Sequence, residues 1–378
     1  MKKNLSKIMI TVLLVISMVE GAFLVRAYVI PSNVMKVARK INSIEKLIDS
    51  EYTGGKVDKE KIEDYAYKGM IAGLGDVYSA YYNKSEFKEM MEETDGTFSG
   101  VGLQVLQDSK TGEISVIKVM KDTPAQGKGI EKGDILLKVD NKSVKDQSLS
   151  DVIQKIRGEK GTKVRLTLSH NSKEYQVTIT RSVIETPTIE SKMLEGKIGY
   201  IQIIEFDEVT VNQFKSALSS LKKKGMKSLI LDVRDNPGGL IEVVAKVANE
   251  LQSGGVIVST KDKKGKEKVY NADKDTSVDM PMCLLVNENS ASASEILAGT
   301  LKDHKLATLV GKKTFGKGIV QGFYNAGDGG YLKLTFAEYY TPNGNNIHKK
   351  GIKPNVVVKD NEKTSKDEQL EKAKEILK

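Results

Sequence analysis

The chain has one cysteine and three histidines among 378 residues, and each scarcity removes a class of chemistry. Cys283, alone and inside the apolar run Met282-Cys283-Leu284-Leu285-Val286, can form no intramolecular disulfide and reads as a small buried hydrophobe. Stability must come from packed cores, and a chain of this length with 39% apolar residues can build two or three. His170, His304 and His348 lie far apart in sequence, so with a single cysteine they make no zinc set; no metal and no cofactor is expected. The net charge is +9, yet the lysines are scattered and rarely interleave with aromatics or arginines, which argues against a nucleic-acid partner. Internal repeats and low-complexity tracts are also lacking.

At the amino end, Lys2, Lys3 and Lys7 precede an apolar run from Ile8 to Val19; after Glu20 a second run, Gly21 to Ile30, is broken by Arg26. Positive charge before an apolar run is an export signal that leaves the amino end in the cytoplasm. No small-x-small cleavage site follows, and residues 8–25 approach the ~18 residues of a spanning helix. Residues 1–30 are therefore expected to be a signal anchor touching the membrane through residues 8–30, with the remainder outside the cytoplasm. A cleaved signal peptide and a secreted product is the alternative.

Residues 31–95 form a helical region, with Val37, Ile41, Ile44, Leu47 and Ile48 at three- and four-residue spacing. Tyr78, Tyr81 and Tyr82 after Gly75-Asp76 read as loop packing. From 96 to 182 the texture is that of short strands punctuated by glycine, with one helix over Leu149 to Ile156 and a hairpin turning at His170-Asn171-Ser172. From 183 to 358 apolar strands alternate with amphipathic helices, which predicts a largely parallel sheet covered on both faces. The segment 359–378 reads as a solvated helix with a weak apolar stripe of Leu370, Ala373, Ile376 and Leu377.

Three segments stand where an open α/β sheet places its ligands: Arg234-Asp235-Asn236-Pro237-Gly238-Gly239, Ser290-Ala291-Ser292-Ala293-Ser294-Glu295, and Thr314-Phe315-Gly316-Lys317-Gly318-Ile319-Val320-Gln321. The serine run opens a helix at the positive end of its dipole, which stabilises a developing oxyanion. A serine nucleophile needs a base, and the histidines sit in a hairpin turn, at a helix end and beside two lysines. A lysine serves if desolvation lowers its pKa. Lys317, between two glycines with Phe315 and Ile319 nearby, has that setting, and Gln321 four residues on can orient its amine.

The stretches DVRDNPGGL, NSASASEILAG, TFGKGIVQ and YYTPNG resemble those of the carboxyl-terminal processing peptidases, also called tail-specific proteases, across nearly all of the chain after residue 30. The resemblance implies a crotonase-like β/α protease core with a small mixed β/α PDZ domain inserted. It implies Ser292 as nucleophile, Lys317 as general base, Gln321 as its positioner, and an oxyanion hole from the Ala293 amide and one of Gly238 or Gly239. Gly100-Val101-Gly102-Leu103 resembles a PDZ carboxylate-binding loop, which captures a free chain end while the peptide adds as a strand. Val152 and Ile156 either line that groove or belong to the core, and Arg157 is a candidate for coupling tail binding to the protease. The implied partners are proteins or peptides with free apolar C-terminal tails; a homodimer through the helical ends is a further expectation. Two other classes remain open from sequence: a non-catalytic PDZ scaffold, and a crotonase-like acyl-transfer enzyme.

Overall fold

The computed structural model describes residues 32–273, 278–359 and 366–378. The expected anchor at 1–30 lies outside the described residues, and among these no helix is long and apolar enough to cross a membrane. The chain divides into two compact units, 1–66 and 67–378. In the first, the helix Ser32–Glu51 carries Val37, Ile41, Ile44 and Leu47 exposed, and Lys59 pairs with Asp49 at 2.9 Å.

The second unit holds two layered bodies. The strands Thr97–Gly100 and Ser182–Glu185 pair antiparallel, so the chain enters and leaves the intervening module through one ribbon. Inside it, five strands run in the order Leu103–Gln107, Ile114–Val119, Ile135–Val139, Lys163–His170 and Lys173–Thr180. Ser148 caps the helix Leu149–Ile156 by accepting from the Asp151 N–H at 3.1 Å. Val152 is fully buried and Ile156 nearly so, packed with Val101, Val116 and Leu166, so both belong to the core. The buried Arg181 guanidinium donates to the carbonyls of Lys155 and Ile156, closing that helix's C-terminal end.

The larger body is built on a six-stranded sheet ordered Ile189–Leu194, Ile198–Ile203, Ser228–Asp232, Met282–Val286, Thr308–Gly311 and Val356–Val357. Only the first pair is antiparallel. Consecutive side chains alternate between its faces. Leu229, Leu231, Leu284 and Val286 join one core, which also takes residues of the helices Thr210–Lys223, Ile241–Asn249 and Ala293–Asp303; Ile230, Cys283, Leu285 and Val310 join the other. Each such fully buried aliphatic side chain is worth roughly 1.5–3 kcal/mol. A second sheet contains the hairpin Ile319–Gly327 and Gly330–Tyr340, whose second strand also pairs with Val256–Asp262.

The C-terminal helix Glu368–Ile376 departs from the expected solvated tail. Gln369 and Ala373 are fully buried, and Ala373 lies on Cys283, Ile230 and Val310. The small alanine permits close approach, and an ion pair fixes the start of the helix. Arg234 reaches Asp367, the residue capping it, at 2.8 Å and Asp232 at 2.6 Å.

Candidate active site

The strand Met282–Val286 ends in a turn that delivers three serines with different fates. Ser290 Oγ donates to the Val233 carbonyl at 2.7 Å, and Ser294 Oγ donates to the Asn236 carbonyl at 3.0 Å. Both hydroxyls are committed to fastening the serine turn to the segment 233–236. Ser292 instead lines a cavity of about 350 Å³ at the N-terminus of the helix Ala293–Asp303. Its backbone is at φ 55°, ψ −114°, a conformation that costs an L-residue roughly 1–3 kcal/mol and persists only where the surroundings impose it. Here its N–H donates to Glu295 Oε2 at 3.0 Å, and its carbonyl accepts from the Tyr339 hydroxyl at 3.0 Å and from the Ile296 N–H at 3.0 Å.

The glycine turn packs directly against this serine. A Cβ on Gly238 would stand 2.8 Å from Ser292 Cβ and 3.0 Å from the Ala293 nitrogen, and at φ 115° only glycine is comfortable. The two glycine amides differ: that of Gly238 donates to Asn236 Oδ1 at 2.8 Å, whereas among the described residues that of Gly239 has no acceptor. Gly239, not Gly238, lines the cavity. The Ala293 amide belongs to the first helical turn, whose N–H groups have no partner within the helix.

Lys317 lines the same cavity. Desolvation, and then the nearby Lys333 cation, hold its amine below the ordinary lysine pKa, against the pull of Asp76 and Glu295. Its ammonium lies over the Tyr78 ring, 4.7 Å from the centroid, so this tyrosine does more than pack a loop. Asp76 secures that turn, accepting from the Tyr78 N–H at 3.0 Å and from Ser79 Oγ at 2.6 Å. Phe315, expected to shelter the lysine, is 56% exposed; Ile319 is the buried neighbour. Gln321 also lines the cavity, but its amide donates to Thr335 at 3.2 Å rather than meeting the lysine amine. The two residues are cross-strand partners in the hairpin, which brings their side chains together.

Glu295, the end of the serine run and given no role from sequence, ties the two halves together. Fully buried, it accepts at Oε2 from the amides of Ser292 and Lys317, and at Oε1 from Thr314 Oγ1 at 2.5 Å and the Gly316 amide at 2.8 Å. Burial pushes its carboxyl up, and the four donors oppose that shift. The signal was available: a carboxylate three residues after an N-terminal serine is half of a capping box. Its bonds to a loop twenty residues away were not. Among the histidines, His170 bonds Asp134 and Nε2 of His304 meets the Val256 carbonyl, while backbone and side-chain atoms of His348 pack against Gly318.

In the inserted module, Gly100 ends its strand, Val101 and Gly102 follow it, and Leu103 begins the strand Leu103–Gln107. The carbonyls of Val101 and Gly102 accept from Ala125 and Met120, both at 2.9 Å. Gly102 is at φ 86°, where a Cβ would stand 2.2 Å from Thr123. Leu103–Gln107 is an edge strand, so one of its sides is open to a pairing peptide among the described residues. Arg157 sits over the Phe98 ring at 4.8 Å, on the ribbon that joins the module to the rest.

A serine turn at a helix N-terminus, a glycine turn packed on it and a desolvated lysine lining the same cavity make up the candidate site, and comparison with known proteins gives its class, a serine-type peptidase. The model of peptidase family S41 matches residues 197–358, and that of the PDZ domain matches residues 89–169. The chain is 40% identical over 319 residues to the carboxy-terminal processing protease CtpA of Bacillus subtilis (strain 168), covering 84% of this chain and 68% of that protein. It spans about two thirds of the length of the curated relatives it matches. The solved photosystem II D1 C-terminal processing protease is 30% identical, with 83% of this chain and 86% of that chain covered and a TM-score of 0.49. The chain belongs to peptidase family S41, the carboxy-terminal processing proteases, and is a serine-type peptidase with a PDZ domain.

Proposed function

We propose that the protein is an endopeptidase working through a Ser292/Lys317 dyad. The observation that carries the proposal is the convergence of Ser292, Lys317 and the Gly239 backbone on one cavity, with Glu295 bonded to the backbones of both dyad residues. Neutral Lys317 takes the Ser292 hydroxyl proton as Oγ attacks the scissile carbonyl. The amides of Gly239 and Ala293 stabilise the oxyanion, and the lysine ammonium then protonates the leaving amine. Water, deprotonated by the regenerated amine, hydrolyses the acyl-enzyme. Gln321 acts one step removed, through Thr335 and the hairpin.

Substrates present a free apolar C-terminal tail, which adds to the edge strand Leu103–Gln107 while the loop Gly100 to Leu103 receives the carboxylate. Arg157, stacked on the connecting ribbon, is placed to transmit tail binding. Residues 8–30 anchor the chain in the membrane with the catalytic part outside the cytoplasm, and the exposed apolar face of the helix Ser32–Glu51 supports a homodimer.

The test is cleavage of an unstructured protein with an apolar C-terminal tail, and of the same protein with a charged tail, by wild type, Ser292→Ala and Lys317→Ala. Wild type cleaves the apolar-tailed substrate faster, and both variants lose at least about a thousandfold in rate. Equal rates in all three would place the nucleophile elsewhere.

A further inference from the structure

The cavity that holds Ser292 and Lys317 is also lined by four carboxylates that the dyad chemistry does not use, those of Glu93, Glu205, Asp207 and Glu242. Glu93 closes the helix Lys84–Asp95, and Glu205 and Asp207 follow the strand Ile198–Ile203. Glu93 and Glu205 are exposed at the rim, whereas Asp207 is only 6% exposed.

Asp207 has no structural employment. Among the described residues its carboxylate accepts no hydrogen bond and forms no ion pair. The loop is held by other atoms: the Asp207 N–H donates to Thr210 Oγ1 at 3.0 Å, and Thr210 Oγ1 in turn donates to the Glu205 carbonyl at 2.9 Å. Burial, then the charges of Glu205 and Glu93, push the Asp207 carboxyl up to about 7. An unpartnered carboxylate packed beside like charges opposes folding, so its presence calls for a ligand that is absent from the free chain.

The other charges in the cavity do not supply that ligand. Glu242, on a neighbouring wall, already meets Lys268 and Tyr270, and neither Lys317 nor Lys333 pairs with the other three carboxylates. Among the described residues no three acidic, histidine or cysteine side chains converge to hold a metal ion. An exposed acidic rim above a buried acidic floor, with Met90 and Leu240 on the walls, suits a long aliphatic stem ending in a cation.

We propose that Glu93, Glu205 and Asp207 form a substrate subsite that takes the side chain of a lysine or arginine lying within two residues of the scissile bond. The assignment rests on Ser292 being the nucleophile, because that fixes where the bond lies. It adds to tail recognition a second criterion: the tail delivers the chain, and the cation sets the position of the cut.

The test uses the full-length chain and peptides with amidated C-termini, which withhold the free carboxylate a PDZ loop would read. Otherwise identical peptides carry lysine, arginine, norleucine or glutamate at each of the two positions on either side of the bond. Lysine and arginine peptides are expected to be cleaved with kcat/KM at least about tenfold above norleucine at one of these positions, as a charge-assisted pair predicts. In Asp207→Asn that ratio falls to near one. Glu205→Lys, a rim change that leaves the packing intact, reverses the preference toward glutamate. Equal rates for lysine and norleucine at every position, or a ratio unchanged in both variants, overturns the proposal. Binding of the same peptides to Ser292→Ala, read by fluorescence anisotropy, measures the preference without chemistry. If Ser292→Ala cleaved as fast as wild type, the dyad would fall while the binding ratio still decided the subsite; equal binding of lysine and norleucine peptides refutes the subsite.

Discussion

The two sides of the cleft are built to different tolerances. On the serine side, Ser292 is locked in a disfavoured conformation by Glu295, Tyr339 and its own helix, and the adjacent hydroxyls of Ser290 and Ser294 are bonded to a neighbouring strand end. On the lysine side the backbone of Lys317 is bonded to the same Glu295, but its amine meets an aromatic face and no hydrogen-bonding partner among the described residues. Ser292 and the turn around it are thus held on several sides, whereas Lys317 is fixed at its backbone and makes no hydrogen bond at its amine among the described residues. The amine is therefore the part of the site whose state a small movement can change.

The comparison is broken most severely by undermining the serine side from below. Arg234→Ala leaves Asp232 buried at the end of the strand Ser228–Asp232 and frees Asp367 from it, so a loss of about 3–5 kcal/mol is expected in urea unfolding. Glu295→Gln replaces one acceptor oxygen with a donor facing backbone N–H groups. A loss of about 1–3 kcal/mol in unfolding free energy should accompany a fall in kcat/KM of about a hundredfold, since both dyad backbones lose the same anchor. Tyr78→Leu sharpens the contrast with the smallest change: it keeps the amine desolvated and removes the π face that favours the ammonium. The Lys317 pKa should fall further, moving the rising limb of the pH profile about half a unit toward acid while stability stays near wild type.

What could be read from the sequence follows the same division. The strands Ser228–Asp232 and Met282–Val286 were legible because every residue in them is apolar or buried, and the serine turn was legible because it follows such a strand. The hairpin of Val256–Asp262 and Glu267–Asn271 escaped because its turn, Lys263-Lys264-Gly265-Lys266, reads as a solvated charge run. The docking of Glu368–Ile376 escaped because its buried stripe is short and its tether, Arg234 to Asp367, spans 133 residues. The placements of Glu295 and Tyr78 depend on contacts between distant segments, which no local period encodes. Gln321 showed the reverse: its spacing from Lys317 suggested a direct bond, and the hairpin register gave it to Thr335 instead.

The pH dependence of kcat/KM tests the dyad most directly. With Lys317 as base, activity requires the neutral amine, so kcat/KM rises with pH through a single limb that lies below the ordinary lysine value of 10.5, because desolvation lowers the pKa of this lysine. A limb near the ordinary histidine value of about 6.5, or a profile flat up to the alkaline end, would contradict a lysine base.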